Sequence, residues 1–250
     1  MSTNALLAET TSRTPSDGPV ALVTGGRGSI GRAVCERFRS RGLRVISADR
    51  VMQATGAVSS AEEGQVLYEA NNQTGARDLI ASLGPDIAIQ HLVIAAGIYP
   101  ESRLIQLDED HWQECIDVNL TAVYRMIRSA LPRLTSDASI VLVSSVAGQR
   151  GSRNHAHYAT SKAGLFGLMR SVMWELGEQR RINAVSPGII DNPMTMSLRS
   201  DAGEAILANT PLGRYGTPDE VAGAIDFLCT PAASFIHGEN ININGGLYVN

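Results

Sequence analysis

At 250 residues, 44% hydrophobic and 18% charged, the chain has the length for one α/β domain with a buried core, and a composition that excludes fibrous and disordered classes. Its formal net charge of −4 argues against nucleic acid or an anionic membrane as partner. No apolar run approaches the length of a membrane-spanning helix, and Cys35, Cys115 and Cys229 lack metal-ligand spacing, so they read as reduced core residues and no metal is expected.

Residues 1–18 are rich in Ser and Thr, lack the apolar core of a signal peptide, and carry Glu9 and Asp17 against a transit peptide. They read as a disordered tail of a cytoplasmic protein, with one domain over 19–250. Val20-Ala21-Leu22-Val23 is a short apolar run of the buried parallel-strand kind. It leads through Thr24-Gly25-Gly26-Arg27-Gly28-Ser29-Ile30-Gly31 into Arg32-Ala33-Val34-Cys35-Glu36-Arg37-Phe38, which has helical apolar spacing. Strand, glycine turn and helix in succession make a pyrophosphate cradle: glycines admit the phosphates close to the backbone, and the helix N-terminus offers N–H donors and a favourable dipole. Gly25, Arg27, Ser29, Ile30 and Gly31 are the cofactor candidates in this turn. The next strand, 43–48, ends at Asp49, where an acid that binds the adenosine ribose belongs.

Further strands are expected at 65–68, 91–95, 139–143, 181–185 and 240–243. Helical stretches are expected near 29–41, 74–83, 109–133, 157–179 and 217–229. Seven strands alternating with helices, without a linker or repeat, predict a single-domain α/β fold. It is a Rossmann-type, doubly wound, seven-stranded parallel sheet with helices on both faces. Right-handed crossovers then bring the glycine turn and the later strand ends to one edge.

Ser145 follows the 139–143 strand, and Tyr158 and Lys162 lie four apart on one helix face. The Lys ammonium is expected to favour the phenolate, lowering the Tyr pKa from about 10 toward neutrality. That would make Tyr158 a proton donor and acceptor near pH 7, with Ser145 converging on the same substrate oxygen. Arg150, Arg153, His155 and His157 fall between Ser145 and Tyr158, at the expected substrate mouth, where they would either bind an anionic substrate or be solvated or packed on a neighbour. Trp112 and Trp174 read as packing or interface residues.

Together these residues resemble the short-chain dehydrogenase/reductase family, over nearly the whole chain after residue 18. The resemblance adds Asn119, in Asp117-Val118-Asn119-Leu120, to Ser145, Tyr158 and Lys162 as a catalytic tetrad, with Asn119 holding a water-linked proton relay to the Lys. Asn183-Ala184-Val185-Ser186-Pro187-Gly188 looks like the family's strand-end motif, which implies that Pro187, Gly188 and Ile190 anchor the nicotinamide carboxamide. Gly216-Thr217-Pro218-Asp219-Glu220-Val221-Ala222 and Ile243-Asn244-Gly245-Gly246 match its C-terminal signatures.

The chain departs from the family pattern in four places. Ser29 holds the middle glycine position, and Ile94-Ala95-Ala96-Gly97 replaces Asn-Asn-Ala-Gly, leaving Ala95, Ala96 and Gly97 to face the adenosine ribose. Asn71 or Asn72 stands for the adenine-contacting Asp, and Asn192 for the Thr expected to reach the carboxamide or phosphate. Met194, Met196 and Leu198 fall in the family's substrate lid, and their thioether and aliphatic side chains suit an apolar substrate.

The resemblance implies an NAD(H)-dependent oxidoreductase that interconverts a secondary alcohol and a ketone by hydride transfer. Tyr158 acts as general acid and base, and Lys162 also holds the nicotinamide ribose. Asp49 favours NAD over NADP. The alternatives are an NADP-dependent 3-oxoacyl reductase and, from a different class, a non-redox relative, which the paired Tyr158 and Lys162 disfavour. The partners implied are a small-molecule alcohol or ketone and, through the long helices, further copies of the chain in a homotetramer.

Overall fold

The computed structural model describes residues 18–50 and 64–249, with only the backbone given for 201–202. The tail expected over 1–18 lies outside the described residues except for Gly18. The strands are β1 (Val20–Thr24), β2 (Arg44–Asp49), β3 (Gln65–Leu67), β4 (Ile89–Ile94), β5 (Leu134–Val143), β6 (Arg181–Pro187) and β7 (Asn240–Ile243). The main helices are α1 (Ser29–Ser40), α2 (Gly75–Ser82), α3 (Glu109–Ile116), α4 (Ala122–Ala130), α5 (Ala147–Arg150), α6 (Ala156–Val172), α7 (Met196–Ala208) and α8 (Pro218–Leu228). All strand pairs are parallel, in the order β3-β2-β1-β4-β5-β6-β7.

The central strands read as continuous apolar runs because both faces of the sheet are covered. Successive side chains point to opposite faces. Leu22, Leu92, Ile140 and Ile182 pack with Leu79, Met126, Leu165 and Met169 of α2, α4 and α6. Ala21, Val23, Val93, Val141 and Val185 pack with Val34, Phe38, Val221 and Ile225 of α1 and α8. Burying a side chain of this size contributes roughly 1.5–3 kcal/mol, so the paired clusters fix which face each strand presents. His91 is a polar exception in this layer: its Nδ1 lies 2.8 Å from Ser139 Oγ, and burial pushes its pKa down to about 4, so it is a neutral core residue.

The helical stretch expected over 109–133 is present, made up of α3, a π turn at Asp117–Thr121, α4 and a 3₁₀ turn at Leu131–Arg133. Two other sequence expectations need correction. The stretch 157–179 is helical only to Glu175, its last turn being 3₁₀. The strand expected at 139 begins at Leu134, which pairs with Ile89 while Arg180 donates to the carbonyls of Thr135 and Leu134. α5 and α7 were not expected, and α7 (Met-Ser-Leu-Arg-Ser-Asp-Ala-Gly-Glu-Ala-Ile-Leu-Ala) carries no apolar stripe that would announce it. Among the described residues, no helix is long and apolar enough to cross a membrane.

Candidate active site

The chain order reverses between β1 and β4, and the crevice outside the strand ends at such a reversal is where this architecture binds ligands. β1, β4, β5 and β6 end there at Thr24, Ile94, Val143 and Pro187. A cleft of about 350 Å³ opens at this edge. Gly25, Arg27, Ser29, Ile30 and Gly31 of the glycine turn line it, with Ala95 and Gly97 after β4, Lys162 and Tyr158 of α6, and Pro187, Gly188 and Ile190 at and after the end of β6.

The glycine turn is built for close approach. Gly25 has φ +69°, and a Cβ there would stand 2.6 Å from the Ala96 nitrogen. A Cβ on Gly31 would stand 2.2 Å from the Gly25 carbonyl oxygen. Gly28 precedes α1 without a side-chain cap, and the first turn of that helix has no acidic residue. The first N–H groups of α1 are therefore left for an anion, as the first-turn donors of a helix without a cap require.

Asp49 sits beside the turn: its Oδ2 accepts from the Arg27 amide at 2.9 Å and its Oδ1 from the Arg50 amide at 2.8 Å. The Arg27 guanidinium is turned toward β3, donating to Gln65 Oε1 at 2.9 Å. Ala96 does not line the cleft, and its amide donates instead to Thr24 Oγ1. Asn71 is exposed and outside the cleft. Asn72 Oδ1 accepts from the Thr74 amide at 2.9 Å, which commits it to the turn before α2 and leaves Asn71 as the freer amide of the pair. Asn192 lines the cleft, and its Oδ1 accepts from the Thr195 amide, capping the 3₁₀ turn at Pro193–Thr195.

The four tetrad positions converge. Lys162 Nζ donates to the Val143 carbonyl at 2.9 Å and stands 5.8 Å from the Tyr158 ring centre. Ser145 and Tyr158 line the same cleft, and Ser145 Oγ accepts from the Ala147 amide at 3.1 Å. Asn119, fully buried in the π turn, accepts from the Ile98 amide at 2.9 Å and donates to the Ile98 carbonyl at 3.0 Å. Its Nδ2 also lies 3.2 Å from Ser161 Oγ and 3.4 Å from Cys115 Sγ. A Cβ on Gly97 would come within 3.0 Å of Asn119 Oδ1 and 3.4 Å of Lys162 Nζ, so that glycine keeps the space between them open.

The electrostatics differ from the expectation of a phenol acidified by its lysine. Burial pushes Tyr158 up to about 12, opposed by the neighbouring Ser145 hydroxyl and reinforced by Tyr99 and Cys115. Burial pushes Lys162 down to about 8. Loss of water disfavours the charged form of each group, and it is the largest influence on both. Tyr158 is therefore a proton donor at neutral pH, and Lys162 loses its charge as pH rises through about 8.

A second cavity, of about 490 Å³, joins the first at Ser145, Tyr158, Gly188, Met194 and Thr195. Arg150 and Arg153 line it, as does Leu198 of α7, whereas Met196 is exposed and does not. His155 and His157 are both buried and do not line it. His155 stacks on Tyr99 at 4.2 Å, and Tyr99 meets the Tyr158 ring edge-on at 4.7 Å. Sequence reasoning missed Tyr99, Cys115 and Ser161 as supports of the tetrad. Tyr99, in Gly97-Ile98-Tyr99-Pro100, carried no signal beyond its place after β4.

Residues 25–248 match the profile of the family described as enoyl-(acyl carrier protein) reductase. The 3-oxoacyl-[acyl-carrier-protein] reductase FabG of Vibrio harveyi is 36% identical over 242 residues, covering 93% of this chain and 98% of that protein. The protein of the same name from Thermotoga maritima is 36% identical over 244 residues, covering 93% and 99%. Among solved structures, the short-chain dehydrogenase/reductase "Glucose/ribitol dehydrogenase" from Brucella melitensis superposes with a TM-score of 0.86 at 35% identity, covering 93% of this chain and 97% of that one. The aldohexose dehydrogenase of Thermoplasma acidophilum gives 0.81 at 30% identity, covering 92% and 93%.

Proposed function

Because this chain belongs to the short-chain dehydrogenase/reductase family and is an oxidoreductase acting on CH–OH groups, we propose that it reduces the 3-keto group of a 3-oxoacyl thioester, using NAD(H). The observation that carries the proposal is the junction at Ser145 and Tyr158 of two cavities, one running to the glycine turn and one lined by Val146, Ile189, Leu198 and Ile206 together with Arg150 and Arg153. The relatives named 3-oxoacyl reductases support this substrate over the broader secondary-alcohol reading expected from the sequence.

The cleft fits a nicotinamide dinucleotide: the uncapped α1 N-terminus and the Gly25 and Gly31 cradle suit the pyrophosphate, and Asp49 the adenosine ribose. Lys162 would hold the nicotinamide ribose, and the backbone at Pro187, Gly188 and Ile190 the carboxamide. When bound, the cofactor supplies the hydride. Ser145 holds the substrate oxygen and stabilises the negative charge that develops on it. Tyr158 gives its hydroxyl proton to that oxygen as the carbonyl carbon gains the hydride, and in oxidation takes the proton back. Asn119 holds the relay that reprotonates the phenolate by way of Lys162.

Asp49 supports NAD(H): its carboxylate can accept from both ribose hydroxyls, whereas a 2′-phosphate would place like charge against it. Two unit charges near 4 Å interact by about 4 kcal/mol at an effective dielectric of 20, and half of that is more than about tenfold in selectivity. The Arg27 guanidinium, committed to Gln65, is not turned toward a phosphate there. Steady-state kinetics on a 3-oxoacyl thioester with each cofactor test the proposal, and the expected result is a kcat/KM at least about tenfold higher with NADH. A higher value with NADPH refutes the cofactor assignment. Turnover confined to simple alcohols or ketones refutes the substrate.

We infer that the active assembly is a homotetramer. Trp174 and Phe235, 81% and 103% exposed, and the half-exposed Tyr124 of α4 support this, since large apolar groups left bare on one chain suit interfaces between copies. A monomeric mass by light scattering at micromolar concentration would sink it.

A further inference from the structure

Of the four basic residues between Ser145 and Tyr158, the structure separates two from two. His155 and His157 are buried, one against Tyr99 and one with neither ring nitrogen partnered. Arg150 and Arg153 are exposed and line the cavity that opens from Ser145 and Tyr158. No acidic residue lines that cavity. The ion pairs of the described residues involve neither arginine, so no carboxylate of a described residue lies within 4 Å of either guanidinium. The nearby Glu101 is held elsewhere, accepting from Asn154 Nδ2 at 2.9 Å.

The loop that carries the two arginines is positioned. Gly151, at φ +79°, ends α5 directly after Arg150, and Asn154, at φ 62°, is the one non-glycine left-handed residue among the described ones. Its carbonyl accepts from the Ser102 amide at 2.8 Å, and the carbonyl of Arg153 accepts from His155 Nδ1 at 2.6 Å. The Arg153 backbone is thereby tied through His155 to the Tyr99 ring that abuts Tyr158. Two guanidinium groups lining one cavity, with no acidic residue in its lining, match a carboxylate or phosphate, for which the planar fork of arginine is suited.

We propose that Arg150 and Arg153 form an anion subsite, and that the substrate carries a carboxylate or phosphate on the side of the carbonyl remote from the nicotinamide. This rests on the 3-keto reduction assigned above: a phosphate would belong to the thioester named there, and a carboxylate to a free 3-oxo acid in its place. The anion has two possible sources, the carboxylate of a free 3-oxo acid or the terminal phosphate of a phosphopantetheine thioester.

The test compares kcat/KM for a 3-oxo acid, its neutral ethyl ester, and a 3-oxoacyl pantetheine thioester with and without its 4′-phosphate. The expected result is a preference of at least about tenfold for one anionic member over its neutral counterpart. That preference should collapse through KM in the Arg150→Gln/Arg153→Gln double variant and be partly restored by Arg150→Lys/Arg153→Lys. The pair that shows the preference identifies the source. Equal kcat/KM for charged and neutral substrates, or a preference that survives the double glutamine variant, overturns the proposal.

Calorimetric titration of the wild-type and double-glutamine proteins with a 3-hydroxy acid and with inorganic phosphate reads the subsite without turnover. Binding of either ligand that is lost in the variant supports the subsite even if the reduction itself proves misassigned. Equal binding of both ligands by the two proteins, or no binding of either, overturns it.

Discussion

Tyr158→Phe is expected to lower kcat by about two to four orders of magnitude, the usual contribution of a positioned general acid or base, while leaving the cofactor bound. The hydroxyl it removes belongs to a residue that lines both cavities where they meet, as Ser145 does. The substitution keeps the ring and hence the edge-on contact with Tyr99 at 4.7 Å, so a fold defect is not the expected cause of the loss. In the wild type, burial keeps the phenol protonated at neutral pH. Oxidation needs the deprotonated form, so its rate should rise with pH through the neutral range while reduction does not, and the phenylalanine variant should lose that slope. Steady-state rates in both directions, with melting temperature and cofactor affinity as controls, decide the matter. Near-wild-type turnover by the variant would remove Tyr158 from the mechanism.

Gly31→Ala is expected to weaken cofactor binding at least about tenfold and to destabilise the fold by about 1–3 kcal/mol, the usual range for overpacking. The added methyl would stand 2.2 Å from the Gly25 carbonyl oxygen and 2.9 Å from the Gly26 Cα, both backbone atoms that cannot swing aside. Relief requires the turn to open, which moves Gly25 and the N-terminus of α1 together. Gly28→Ala is the internal comparison, since its methyl would meet only the Gly25 oxygen, at 3.2 Å, with a backbone any residue adopts. Fluorescence titration with NADH and chemical denaturation read both variants. Gly31→Ala binding like wild type, or Gly28→Ala suffering the larger loss, would contradict this account of the cradle.

The strands were legible because burial on both faces leaves a signature in a few residues, as in Val20 to Thr24. The glycine turn and the Ser145, Tyr158 and Lys162 set were legible because their chemistry demands particular residue types at particular separations. α7 was not, since its sequence has no periodic apolar stripe. The proton affinity of Tyr158 was misjudged for a different reason: spacing reveals that a lysine is near, but enclosure by Tyr99, Cys115 and the sheet edge decides how much the missing water costs. Likewise, four basic residues in one loop look alike on paper. Backbone geometry at Gly151 and Asn154 sends two outward and two inward.

The π turn at Asp117–Thr121 has a consequence for the helical stretch as a whole. Cys115, Asn119, Val123 and Ile127 recur every four residues and are all buried. On an uninterrupted α-helix of 3.6 residues per turn, such a series rotates by about 40° at each step and would carry one end out of the core. The wide turn absorbs one extra residue and resets the angle midway, so α3 and α4 both keep their apolar sides inward with the asparagine between them. What this segment preserves is a rotational phase. Removing any one residue from it would turn everything on one side by about 100°, whichever residue was taken, so its residue count constrains the site as tightly as its residue identities do.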